Sequence, residues 1–99
     1  MQTQTDNFSK FGKSFQEKLC QLMFEDRPFC DQITEVLDIQ FLEVNYLQVF
    51  VQTILDYRHK YGIHPTYEIL ATIFKSGITE YDDAVQKQVR DYYTRVLSG

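Results

Sequence analysis

Apolar residues recur every three or four positions through most of this sequence, which is the spacing of one face of an α-helix. The longest such stretch covers residues 44–60 and is followed by Gly62, a residue type that commonly ends helices. No segment alternates apolar and polar residues over a useful length, so β-strands are not predicted. The pattern therefore predicts an all-α fold, a compact bundle of about five helices.

Capping signals place the first two helices. A Ser-x-x-Glu capping box at residues 14–17 predicts a first helix over about 15–25. Asp26, followed by Pro28, predicts the start of a second helix that ends near Leu37.

The remaining elements follow from similar signals. Residues 38–42 are too short for a full helix, and we expect a connector that places Ile39 and Phe41 in the core. After the long central helix, Thr66 is expected to cap a short fourth helix. Thr79 is expected to open the last helix, whose first turn is acidic.

The length of 99 residues is that of a single domain with one hydrophobic core. Residues 1–13 are polar and are predicted to form a flexible N-terminal lead, in which Phe8 or Phe11 packs on the domain. Residues 14–99 are predicted to form the helical domain. No apolar run approaches the roughly 20 residues needed to span a bilayer, so no membrane partner is expected.

The two cysteines indicate the cellular compartment. Cys20 and Cys30 lie among apolar neighbours, form no Cys-x-x-Cys pair and follow no secretory signal. We therefore expect reduced core thiols in a cytoplasmic protein.

The formal charge of −4 argues against nucleic-acid binding as the main activity, because such affinity depends on clustered Lys and Arg. Residues 51–99 carry as many bases as acids, and their bases have tyrosines nearby. Aromatic side chains beside cations can hold single strands. Weak contact with single-stranded DNA would therefore use Arg58, Lys60, Lys87, Arg90 and Arg95.

No motif predicts an active site, a metal site or a cofactor in this chain. Residues 12–14, Gly-Lys-Ser, resemble the end of a phosphate-binding loop, but Asn7 stands where that loop has its first glycine. His59 and His64 lie five residues apart with no third ligand nearby in the sequence. No serine occupies a Gly-x-Ser-x-Gly turn.

The last helix carries a continuous apolar stripe, and two interpretations of it remain open. It is either the fifth core helix or a partly exposed face that meets a second subunit or a following part of a longer protein. The mixture of aromatic, valine and arginine side chains favours the second interpretation. The predicted interaction residues are Val85, Val89, Tyr92, Tyr93, Val96 and Leu97.

Several residue groups, in this order, carry a family resemblance. They are Phe15-x3-Leu19-Cys20-x-Leu22-Met23-x2-Asp26-x2-Phe29, Ile39-x-Phe41, Leu47-x2-Phe50-x3-Ile54-x2-Tyr57, and Tyr61-Gly62-x2-Pro65-Thr66 followed by Leu70. Over about residues 15–75 this order resembles the N-terminal domain of DnaB-type hexameric replicative DNA helicases. The last helix corresponds in this comparison to the first arm of the family's helical hairpin.

The resemblance implies a function. It implies a non-catalytic domain that forms dimers or larger oligomers, builds the N-terminal collar of a ring helicase and contacts primase or a helicase loader in DNA replication. The family's ATPase motor has no counterpart in this sequence, the usual Glu-rich entry is missing, and no second hairpin arm follows Leu97. We expect the first domain of a longer bacterial or phage protein, because an unpaired apolar helix is costly in water. The alternative is a free-standing helical regulator or inhibitor of a host replication or transcription protein.

Overall fold

The structure is a computed structural model that describes residues 12–99. Within these residues the chain is all-helical and has no β-strand, which confirms the predicted fold class. A 3₁₀ turn, Ile39–Phe41, lies between the second and third helices. The five helices are α1 (Gly12–Glu25), α2 (Arg27–Ile33), α3 (Asn45–Tyr61), α4 (Tyr67–Ser76) and α5 (Asp83–Ser98).

The long helix α3 is the centre of the bundle. It packs against α1 and α5, while α2 packs on α1 and α4 packs on α5. Phe50, at the middle of α3, is fully buried, and its ring centroid lies 5.0 Å from that of Tyr92 and 5.7 Å from that of Phe74. Phe24 and Tyr93 complete this aromatic cluster, so all of α1, α3, α4 and α5 share one core.

Three of the predicted helix ends are confirmed. Asp26 accepts the backbone N–H of Phe29 at 3.0 Å and so caps α2, and Thr66 accepts that of Ile69 at 3.2 Å and so caps α4. Gly62 ends α3 in the left-handed conformation, with φ of 75°. Each of these signals acts over three or four residues and needs no distant contact.

The predicted capping box of α1 is not formed. The helix begins at Gly12, so Ser14 lies inside it and does not cap it. The Glu17 carboxylate instead accepts hydrogen bonds from Arg95 and from the hydroxyl of Tyr46. The Glu17 carboxylate, which the local pattern predicted to cap the helix, is therefore bound by Arg95, 78 residues away.

Two more boundaries differ from the sequence prediction. Helix α2 ends at Ile33, short of the predicted end near Leu37. Helix α5 begins at Asp83, because Thr79 belongs to the turn that precedes it. In the connector before α3, Leu42 is the fully buried residue.

The predicted core positions in that connector, Ile39 and Phe41, are only partly buried. The predicted N-terminal lead differs at its edge, since residues 12 and 13 already belong to α1. The rest of the lead, with Phe8 and Phe11, lies outside the described residues.

Both cysteines are buried free thiols, as expected for core positions. Burial raises the pKa of the Cys20 thiol to about 12, and the negative charge of Glu17 adds to that shift. Burial also raises the pKa of Cys30. Neither thiol is therefore poised to act as a nucleophile.

Candidate protein-interaction surfaces

The apolar stripe of α5 faces the core of the chain itself. Val89, Tyr92, Tyr93 and Val96 are all buried. The Tyr93 hydroxyl donates to the backbone carbonyl of Tyr67 at 2.7 Å, so it too has a partner within the chain. These four residues are therefore core residues in this conformation, in agreement with the first of the two interpretations, and their part in an interaction face stays a prediction.

The two remaining residues of the predicted face lie at opposite ends of α5. Val85 is partly buried against the core, and Leu97 keeps 51% of its surface exposed. Helices α3 and α4 pack against α5.

The five basic residues considered for DNA contact are each engaged within the chain. Arg90 donates to the backbone carbonyl of Phe74 at 3.2 Å, and the Lys60 ammonium lies 5.3 Å from the ring centroid of Tyr61. The other three form the ion pairs Arg58–Asp31, Lys87–Asp91 and Arg95–Glu17.

Glu17 is the centre of a hydrogen-bond cluster that joins three helices. Its carboxylate accepts from both terminal nitrogens of Arg95, at 3.0 and 3.1 Å, and from the hydroxyl of Tyr46. The Arg95 hydrogen bonds hold the pKa of Glu17 below its ordinary value, although burial acts in the opposite direction. The cluster therefore links α1, α3 and α5 through hydrogen bonds.

His64 joins the turn before α4 to α1 and α3. Its Nδ1 lies 2.8 Å from a guanidinium nitrogen of Arg58, and its Nε2 lies 2.8 Å from the backbone carbonyl of Phe24. Because Arg58 can only donate and the carbonyl can only accept, this geometry fits the neutral ring with its proton on Nε2. His59 is exposed on α3, and no cluster of potential metal ligands occurs among residues 12–99.

A groove runs along one side of α3, between that helix and the segment that joins α4 to α5. Its two halves have volumes of about 370 and 270 Å³ and share Gln52, Glu80 and Tyr81. We call this feature the α3 groove. Sequence reasoning missed it, because the acids at 80 and 82 were assigned to the first turn of the last helix.

The first half of the α3 groove is lined by Ile39, Asn45, Gln48, Val49, Gln52, Glu80, Tyr81, Asp82 and Val85. The second half is lined by Gln52, Thr53, Asp56, Tyr57, Lys60, Tyr61, Ile73, Gly77, Ile78, Glu80 and Tyr81.

Large apolar side chains are exposed around the turn between α3 and α4. Tyr61, Ile63 and Tyr67 expose 55%, 56% and 58% of their surfaces. We call these three residues the turn patch. The ring centroid of Tyr61 lies 4.6 Å from that of Tyr57, which also lines the α3 groove, so the patch adjoins the groove.

No protein-family model, curated protein or solved structure matches this chain. The resemblance to DnaB-type helicases therefore rests on the sequence pattern given above. No helix among the described residues has the length and apolar character needed to cross a membrane.

Proposed function

We propose that this chain is a non-catalytic interaction domain, and specifically the N-terminal collar domain of a hexameric replicative DNA helicase. In this role it holds subunits together and contacts primase or a helicase loader during DNA replication. The sequence resemblance supports this assignment, and the five-helix bundle is compatible with it. We further propose that the protein acts in the cytoplasm of a bacterial cell or a phage-infected host.

The observation that carries the interaction role is the turn patch. Isolated exposed apolar residues are normal on protein surfaces, but Tyr61, Ile63 and Tyr67 lie within seven positions of one another and flank a single turn. Tyrosine and other large apolar residues dominate the binding energy of many protein interfaces. Burying such a patch against a second copy would remove it from water, which favours self-association.

The polar clusters of the chain support a structural role for its titratable groups. Glu17 is bound by Arg95 and Tyr46, and Asp31 is bound by Arg58. These partners lie on different helices, so the charged groups connect helices to one another. Within this proposal the domain acts sterically, by setting the relative position of subunits.

Sedimentation velocity over about 1 to 100 µM protein, which spans ordinary interface affinities, tests the proposal. We expect a dimer or larger species to form as the concentration rises. Ile63→Asp should shift the equilibrium to monomer, because it places a charge in the buried interface. Val36→Asp is the matched control, since Val36 is also highly exposed but lies outside the turn patch.

A monomer at every concentration would contradict the proposal. Equal effects of Ile63→Asp and Val36→Asp would also contradict it, because the turn patch would then have no special part in association.

A further inference from the structure

We propose that the α3 groove is a docking site for a short basic segment of a partner protein, one that carries arginine or lysine beside apolar residues. This inference rests on the proposed function, since it names the chemistry of a partner of the interaction domain. The groove shares Tyr61 with the turn patch but not Ile63 or Tyr67, so variants of Ile63 and of the groove acids test the two proposals separately.

The floor of the groove is apolar. Val49 and Ile78 are buried at its base, and Ile73, Tyr81 and Val85 are partly buried against the core. Apolar side chains of a partner can be buried against this floor, which removes them from water. The groove follows residues 45–61 of α3, a length of about 24 Å at 1.5 Å per residue. An extended segment of about seven residues spans that distance.

The rim of the groove is acidic. Asp56 lies on α3, and Glu80 and Asp82 lie on the opposite wall. None of the three forms an ion pair with residues 12–99. Lys60 is the single base among the lining residues, at the far end of the groove.

The pKa of Tyr81 agrees with this concentration of negative charge. Its pKa is raised first by burial, and then by the charges of Glu80 and Asp56. Both carboxylates therefore act on the same point of the groove, and a cationic side chain placed there would meet both of them.

Two glutamines of the groove present acceptor oxygens to a ligand. Gln52 donates to the carboxylate of Asp56 at 2.7 Å, and Gln48 donates to the backbone carbonyl of Leu42. The side-chain carbonyl oxygens of both glutamines have no hydrogen-bond partner within residues 12–99, and they remain available to a donor. Arginine, lysine and backbone N–H groups donate hydrogen bonds and accept none. A cationic peptide can therefore donate to these two carbonyl oxygens.

A partner protein suits the groove better than a second copy of this chain does. A second copy would bring a net charge of −4 to this acidic rim, whereas a basic segment brings the opposite charge. Its bases Arg58, Lys87 and Arg95 are already held in ion pairs.

Fluorescence anisotropy with a labelled seven-residue peptide of alternating arginine and leucine tests the proposal. The double variant Asp56→Lys with Glu80→Lys should weaken binding at least about tenfold, because each reversal replaces an attraction worth about fivefold by a repulsion. Lys60→Glu should tighten binding about threefold, because it removes the groove's one competing cation. A gain of this kind does not arise from unfolding.

The control is the double variant Glu25→Lys with Glu35→Lys, which makes the same change in net charge. Glu25 accepts from the glutamine four residues before it, as Asp56 does, and Glu35 is exposed in a turn, as Glu80 is. Neither control residue lines the α3 groove. We expect the control to weaken binding by less than about threefold, through long-range charge alone.

Two results would overturn the docking proposal. One is equal weakening by the groove variant and the control, or no peptide binding at all, while sedimentation still shows self-association; the proposed function would then survive without the groove. The other is loss of self-association in the groove variant, which would make a second copy the occupant.

Discussion

Glu17 shows how one side chain can fix the relation of distant segments. It is near the start of α1, yet its partners Tyr46 and Arg95 belong to α3 and α5. The sequence placed it in a capping box, because the local Ser-x-x-Glu pattern fits that motif. Contacts across 29 and 78 positions leave no local signature, so this role could not be predicted.

Glu17→Gln should lower the free energy of unfolding at pH 7 by about 1.5 to 3 kcal/mol, the range for hydrogen bonds to charged groups. The pKa of Glu17 is lowered in the folded state from its ordinary value of 4.5, so its stabilisation is present above that pH. It is lost as the pH falls through the folded-state pKa. The difference between the wild type and the variant should therefore shrink toward pH 3.

Urea unfolding followed by circular dichroism at both pH values measures this difference. Glu35→Gln is the control, because Glu35 is exposed and forms no ion pair among residues 12–99, and it should change stability by less than about 0.5 kcal/mol. A difference for Glu17→Gln that stays constant from pH 7 to pH 3 would show that the carboxylate does not stabilise the fold through its charge.

At the scale of elements, helices α3 and α4 were predicted closely, whereas α5 was predicted to begin four residues too early and the role of its apolar stripe was left open. Gly62 and Thr66 end and cap their helices by contacts within a few residues, which a sequence displays directly. The periodicity of α5 correctly marked an apolar face, but periodicity does not say what covers that face. The covering helices are brought there by the whole fold.

Substitutions in α5 separate its buried face from its exposed end. Val89→Asp should lower the free energy of unfolding by more than about 3 kcal/mol, because it places an unpaired charge among buried apolar side chains. Leu97→Asp should change it by less than about 1 kcal/mol, because Leu97 is half exposed.

Thermal and urea unfolding of both variants measure this contrast. A stable, folded Val89→Asp variant that merely loses self-association would restore the sequence-based assignment of this face as an interface.

At the scale of the whole molecule, the basic side chains considered for DNA contact have partners within the chain, whereas the groove carboxylates form no ion pair among the described residues. The bases that could have formed a DNA-binding surface are tied to carboxylates, a carbonyl and an aromatic ring of the same chain. Carboxylates of the α3 groove remain without ion pairs within residues 12–99. The composition predicted that nucleic-acid binding is a minor activity, but the groove arises only when α3 and the segment before α5 come together.

The turn patch, like the α3 groove, could not be predicted from the sequence pattern alone. Tyr61 and Gly62 were identified from the sequence as parts of a helix end and a turn, and the structure confirms that placement. Their neighbours Ile63 and Tyr67 are apolar or aromatic residues that a sequence pattern would place in the core with equal ease. Only the packing of the other helices decides that they stay exposed.

Hydrogen–deuterium exchange at low and high protein concentration tests the central claim most directly, because it locates the surface through which the domain associates. Association should slow exchange in peptides that cover residues 61–67, while residues 89–96 should be protected equally at both concentrations. Concentration-dependent protection confined to residues 89–96, with residues 61–67 unchanged, would contradict the account.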